Sequence, residues 1–322
     1  MKRFSVIIPA YNVEEYVGEC LDSILNQSFS DFEIILVNDG SKDGTPEICK
    51  RYADKDSRIR YYSKENGGLS HTRNYGIDKA LGEYLYFLDS DDILEENALD
   101  KLNTIIEKEN PDIIVTRFRM LNNINGELTD SSIFPENALN NSALSTTEKF
   151  EQCYLYGDIS PTATLTVPKL KYINDHNFRF CNGILHEDEL WTPQIFLNAD
   201  TISFCEESCY QYRINRDGAI TNKISERNLR DKIRVMDELI ALSDGEEISK
   251  AVSACYIDRA ACMYAWFINY SRELSIYPEV AEALNSRRYI LKKARQKKYH
   301  MIGTVIAVLG VQRALAVFSK LI

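Results

Sequence analysis

An α/β sandwich with a mixed, mostly parallel sheet, followed by a helical C-terminal region, is the architecture this 322-residue chain predicts. Three observations lead there. From Phe4 to about Leu121, short apolar runs alternate with segments whose apolar residues recur at helical spacing. Runs such as Val6-Ile7-Ile8 and Ile34-Ile35-Leu36-Val37 are continuous, as in parallel strands covered on both faces. Hydrophobic residues make up 44% and charged residues 27%, which suits a packed core and argues against disorder.

The elements follow in order. Phe4–Ile8, Glu33–Val37, Ile59–Tyr62, Tyr84–Leu88 and Asp112–Arg117 read as strands. Between them, Val17–Asn26, Pro46–Lys55, Leu69–Ala80 and Asn97–Lys108 read as helices, so the strands join by right-handed crossovers. From about Asn122 to Thr221 the pattern loosens, with Asn-rich loops and a loop entering a helix over Phe178–Phe196. Helical spacing returns from Ser225 to Ser286, and a basic helix then precedes the apolar run Met301–Ile322. The chain is expected to divide at 1–221, 222–286 and 287–322.

Charge is unevenly placed. The formal net charge is −10, which excludes wholesale wrapping of nucleic acid. After Glu282 no acidic residue occurs, while nine basic ones do: Arg287, Arg288, Lys292, Lys293, Arg295, Lys297, Lys298, Arg313 and Lys320. Such a split predicts a tail that meets an anionic surface. Met301–Gln312 is too short for a membrane span, and a longer count places Arg313 near mid-span. An interfacial helix on anionic lipid is therefore expected, with a helix docked on the body as the alternative. The eight cysteines contain no C-x-x-C pair, and the apolar run after Met1-Lys2-Arg3 stops at Pro9, too soon for a signal sequence. Reduced thiols and a cytoplasmic setting are expected.

Chemistry concentrates just after the strands, where ligands of open α/β sheets bind. In VIIPAYN (6–12) the first strand ends at Pro9-Ala10-Tyr11, exposing main-chain groups suited to a planar base. In VNDGSKDGT (37–45), Asp39 is placed to accept from a base imide or a ribose hydroxyl, or to cap the next helix. ENGGLSHTRNYGI (65–77) opens a helix at Gly67-Gly68, with Arg73 in reach of a base or diphosphate. FLDSDD (87–92) packs Asp89, Asp91 and Asp92 at a strand end, where they repel unless a cation or protons neutralise them. Hard oxygen donors of this kind select Mg²⁺ or Mn²⁺. LHEDELW (185–191) offers Glu187, Asp188 and Glu189 as general bases, with Trp191 placed to stack on a sugar.

The order and spacing of these five motifs resemble the family 2 glycosyltransferases of the GT-A fold, a Rossmann-like α/β/α sandwich, especially bacterial enzymes of surface-polysaccharide synthesis. The resemblance covers about residues 1–220. It implies inverting, metal-dependent transfer of a hexosyl or N-acetylhexosaminyl group from a UDP-sugar. By residue, it implies that Pro9, Ala10 and Tyr11 wall the base pocket and that Asp39 and Arg73 address the uracil edge. Asp89 would bind ribose or metal and Asp91 the metal. Asp188 would be the base, with Glu187 and then Glu189 next in rank. YQYRINRDGAIT (210–221) resembles the family's flexible stretch, in which Arg213 or Arg216 would hold the diphosphate. The acceptor implied is a polyprenyl-diphosphate-linked glycan at the inner face of the cell membrane.

Two other classes share some of these features. A nucleotidyltransferase would carry a glycine-rich basic loop after the first strand, where Pro-Ala-Tyr-Asn stands instead. A non-catalytic sugar-binding protein on the same fold would have lost Asp91 or Asp188, and both are present.

Overall fold

The computed structural model describes residues 2–130, 141, 143–156, 161–216 and 224–318. Its first half is strand–helix alternation: β1 (Lys2–Ala10), α1 (Val17–Leu25), β2 (Phe32–Asn38), α2 (Thr45–Ala53), β3 (Ile59–Ser63), α3 (Leu69–Lys79) and β4 (Gly82–Phe87). These four strands form an all-parallel sheet in the order β3-β2-β1-β4. Every residue from Phe4 to Ala10 and from Phe32 to Asn38 is buried, because helices cover both faces of continuous apolar strands. Helix α3 lies so close to β1 that a Cβ at Gly76 would stand 2.4 Å from Ile7 Cγ2. Only glycine permits that approach.

The chain continues through β5 (Ile93–Leu94), α4 (Ala98–Glu109), β6 (Ile113–Asn122), β7 (Leu128–Asp130), α5 (Thr146–Phe150), β8 (Thr166–Pro168), α6 (Leu170–Asp175), α7 (Asp188–Leu197) and β9 (Ile202–Ile214). The second sheet runs β5-β9-β6-β7, with β8 also paired to β6. Among the described residues only β6 and β9 are parallel in it, and a bridge between Tyr84 and Lys169 connects it to β4. The sheets are thus mixed and mostly parallel, as expected. Strand β9, however, has no counterpart in the strand pattern of the sequence, and its end overlaps the stretch read as flexible. The reason is local: the β6–β9 register shifts near Arg117, and the polar Glu206-Glu207 turn outward there, interrupting the apolar run. Residues 217–221 of that stretch lie outside the described residues.

The helical region comprises α8 (Glu226–Ser243), α9 (Lys250–Trp266), α10 (Ser271–Ile276), α11 (Pro278–Ser286), α12 (Ile290–Lys293), α13 (Lys297–Leu309) and α14 (Val311–Phe318). Ser225 and Ser249 cap α8 and α9 by accepting from Asn228 N and Val252 N. The basic segment packs on the body. Ile290, Leu291, Tyr299, Ile306, Val311 and Ala314 are buried. Arg287 pairs with Asp237 at 2.5 Å, and Arg295 pairs with Asp258 at 2.7 Å. Another face of the segment stays open, with Met301 at 66% and Val308 at 78% exposure. No described helix is long and apolar enough to cross a membrane. All eight cysteines are free thiols.

Candidate active site

The site forms where the loop after β4, the N-terminal turn of α7 and the first turns of α3 converge. Arg73 is the centre. It lies on the face of α3 turned toward the sheet, is 1% exposed, and spreads its guanidinium over the Phe180 ring. Its Nη2 donates to Asp89 at 2.9 Å; its Nη1 donates to Glu187 at 2.7 Å and to Asp188 at 2.8 Å. One side chain therefore joins the FLDSDD and LHEDELW motifs. Burial disfavours the charged guanidinium, but Asp188, Asp89 and Glu187 outweigh it and hold Arg73 firmly protonated.

The three aspartates after β4 are sorted by direction. Asp92 points inward: it is 1% exposed and accepts from Tyr210 Oη at 2.5 Å and from Arg213 N at 2.7 Å. Burial, then the charges of Asp91 and Asp89, push its carboxyl well up. Asp89 N–H donates to the same Tyr210 oxygen at 3.3 Å, so this tyrosine braces the loop. Asp91 pairs with Arg216, and its carbonyl accepts from Arg213 Nε at 2.7 Å. Burial and the charge of Asp89 raise the Asp91 carboxyl, against the pull of Arg216. Arg213 also donates to Glu19 at 2.6 Å and to Asn123 at 3.1 Å, and both arginines lie over Tyr16.

At the acidic turn, His186 adopts a left-handed φ of 63° and reverses the chain into α7. Glu187 stands just before the helix, its side chain given to Arg73 and not to a cap, and Asp188 is the first helical residue. The Glu187 carboxyl is pushed up to about 7 by burial and by Asp188. Asp188 is also raised, by burial, with Asp89 adding to the effect and Arg73 opposing it. The Asp188 side chain is 22% exposed against 7% for Glu187, so an incoming group can reach the first far more easily.

The remaining candidates have these positions. Pro9 and Ala10 are buried at the end of β1, and Tyr11 is 48% exposed. Asp39 is buried and accepts from Gly67 N and Gly68 N, both at 2.9 Å, and from Lys64. It thus ties the NGG loop to the end of β2, and Gly40, at φ +73°, lets the chain turn beside Asn66. Trp191 is 2% exposed, stacked on Phe180 at 4.0 Å and edge-on to Phe87, so it lies in the core rather than at an open surface. Tyr210, Lys64, Tyr16 and Glu19 escaped the sequence reading. Tyr210 opens the stretch read as flexible and Lys64 borders the NGG motif, but Tyr16 and Glu19 carry no chemical pattern.

Among the described residues, no three His, Cys, Asp or Glu side chains converge as a ready-made metal cage. The donor set nonetheless fits a hard divalent cation that keeps water and takes ligands from a diphosphate. Asp89 and Asp91 would supply carboxylate oxygens, and the charge of Asp89, which adds to burial in raising the Asp91 carboxyl, is what a cation would relieve.

The strand-end carboxylates and arginines thus face an acidic helix start across Arg73, on an α/β fold. The profile described as "Glycosyl transferase family 2" matches residues 5–166, and the chain belongs to that family. It is 31% identical to the glycosyltransferase GlyG of Streptococcus pneumoniae serotype 4 over 221 residues, covering 67% of this chain and 72% of GlyG. It is 32% identical to GlyA of the same organism over 244 residues, 74% of this chain but 34% of GlyA, so it spans about a third of that relative. Among solved structures, Staphylococcus aureus TarS 1–349 in complex with UDP-GlcNAc superposes with a TM-score of 0.76 at 21% identity, covering 99% of this chain and 90% of TarS 1–349. The fold is GT-A.

Proposed function

We propose that the chain transfers a hexosyl or N-acetylhexosaminyl group from a UDP-sugar to a glycan acceptor in bacterial surface-polysaccharide synthesis, with inversion at the anomeric carbon. The observation that carries this reading is the single guanidinium of Arg73 holding Asp89, on the donor side, with Glu187 and Asp188, on the acceptor side. The UDP-GlcNAc bound to TarS favours the same class of donor.

In this reading Pro9, Ala10, Tyr11 and Asp39 border the nucleoside, and Arg213 and Arg216 meet the diphosphate as charge develops on it. Asp89 and Asp91 would hold Mn²⁺ or Mg²⁺, which supplies positive charge to the departing UDP. Asp188 accepts the acceptor hydroxyl proton as that oxygen attacks opposite the leaving group. Burial raises the Asp188 carboxyl above its ordinary value, which strengthens it as a base. Arg73 keeps the carboxylate aimed.

The test is UDP release from UDP-GlcNAc, UDP-glucose and UDP-galactose with Mn²⁺, with Mg²⁺ and after EDTA. Metal-dependent release that disappears in Asp91→Ala, with circular dichroism unchanged, is the expected result. Equal release by that variant after EDTA overturns the metal assignment.

A polyprenyl-diphosphate-linked acceptor at the inner membrane face fits a second observation. Helix α13 is docked through Ile306 yet turns Lys297, Met301 and Val308 outward, and Arg313 and Val317 follow on α14. Basic and apolar groups on one open face suit anionic lipid. Flotation with phosphatidylglycerol vesicles checks it: Met301→Glu with Val308→Glu should abolish binding while UDP release in solution persists.

A further inference from the structure

Three consecutive carboxylates leave the acidic turn in two directions. Glu187 and Asp188 turn to Arg73. Glu189 turns the other way, into the helical region, where it is 7% exposed. There it meets Lys232 of α8 at 3.0 Å and Arg259 of α9, each 5% exposed. Neighbouring groups hold these partners in place. Lys232 Nζ lies 4.4 Å from the centre of the Trp266 ring, and Arg259 donates to Tyr154 O at 3.1 Å. Asp231, beside Lys232, accepts from Leu185 N at 3.0 Å. Helix α8 therefore grips the turn on both sides of His186, whose left-handed backbone an L-residue adopts only when its surroundings impose it.

We infer that Lys232 and Arg259 are positioning residues: through Glu189 they fix the first turn of α7 so that Asp188 faces the donor. The inference rests on Asp188 being the base. A fully buried ion triad is poor evidence of stabilisation, since desolvating three charges offsets most of their attraction. What it does provide is direction. Burial alone would raise the Glu189 carboxyl, but Arg259 and Lys232 draw it down to about 2, so it stays charged at every working pH. A permanently ionised Glu189 cannot swing toward Arg73 without abandoning two cations. The competing arrangement, Glu189 in the place of Asp188, is thereby closed. Both anchors lie beyond residue 166, so the helical region completes a site that the family-matching segment only begins.

The test compares Lys232→Met, Lys232→Arg, Glu189→Gln and Asp188→Asn by thermal unfolding, UDP affinity and UDP-GlcNAc hydrolysis with Mn²⁺. Lys232→Met and Glu189→Gln should fold and bind UDP within about twofold of the parent. Their kcat should fall about 10- to 100-fold, the cost of a misplaced reacting group. Lys232→Arg should restore most of the loss, a rescue that a space-filling role would not need. A folded Lys232→Met or Glu189→Gln variant with parental turnover overturns the inference, as does failure of both to fold. Parental turnover in Asp188→Asn overturns the base assignment instead, whatever the other variants do.

Discussion

Arg73 carries more of the site than any other residue, because its three hydrogen bonds join two motifs about a hundred residues apart in sequence while its guanidinium lies over Phe180. The sequence marks Arg73 as a candidate for the base or diphosphate, since it lies two positions after His71 on a helix opened by two glycines. It does not reveal that Arg73 is buried among carboxylates, because that depends on how α7 is brought back over β4. Asp188→Asn keeps the shape and the bond from Arg73 but removes the proposed base. UDP affinity should be nearly unchanged, and kcat should fall about 10²- to 10⁴-fold, measured by steady-state UDP release. Glu187 gives a pH signature. Its carboxyl moves from an ordinary 4.5 to about 7 on folding, so the folded state binds the proton more tightly. Stability from this group is then greatest below pH 4.5 and declines as pH rises through 7. Glu187→Gln should flatten that decline and gain, relative to the parent, up to about 3 kcal/mol between pH 4.5 and 8 in denaturant titrations.

Helices and strands of the first sheet were legible because their residues satisfy local rules that tertiary structure then reinforces. Val17–Asn26 and Leu69–Ala80 have apolar positions at helical spacing, and they form α1 and α3 within a residue of those bounds. Strand β9 was not legible, since its two glutamates at the register shift break the apolar run and its partner β6 is remote. Likewise Trp191 reads as a sugar platform beside an acidic cluster, but the helix rotates it onto Phe180. The packing of α3 on β1 sets where Arg73 sits, and it hinges on Gly76. Gly76→Ala should cost about 1–3 kcal/mol through overpacking and reduce turnover as α3 shifts. Combined with Ile7→Ala, it should cost less than the sum of the two single changes, followed by thermal unfolding, because Ile7→Ala deletes the side-chain carbons that the new Cβ meets.

On the scale of the whole molecule, the charge asymmetry so clear in the sequence is partly spent internally. Arg287 and Arg295 serve Asp237 and Asp258, and the apolar side chains of the same segment complete a core. Removing residues 287–322 should therefore lower stability by several kcal/mol, since Ile290, Leu291 and Ile306 alone bury about 1.5–3 kcal/mol each. A melting temperature equal to the parent's would show that the docked segment adds nothing. The long reach of β6 to β9 has a consequence in time rather than space. Asp112 and Thr201, which begin this pairing, are 89 residues apart. On a ribosome adding ~5–20 residues per second, the centre of the second sheet waits roughly 5–20 s for its parallel neighbour. During most of that wait β6 presents an open edge and the acidic turn at Glu187 and Asp188 has not been made, so the nascent chain is most open to mispairing just before that turn exists.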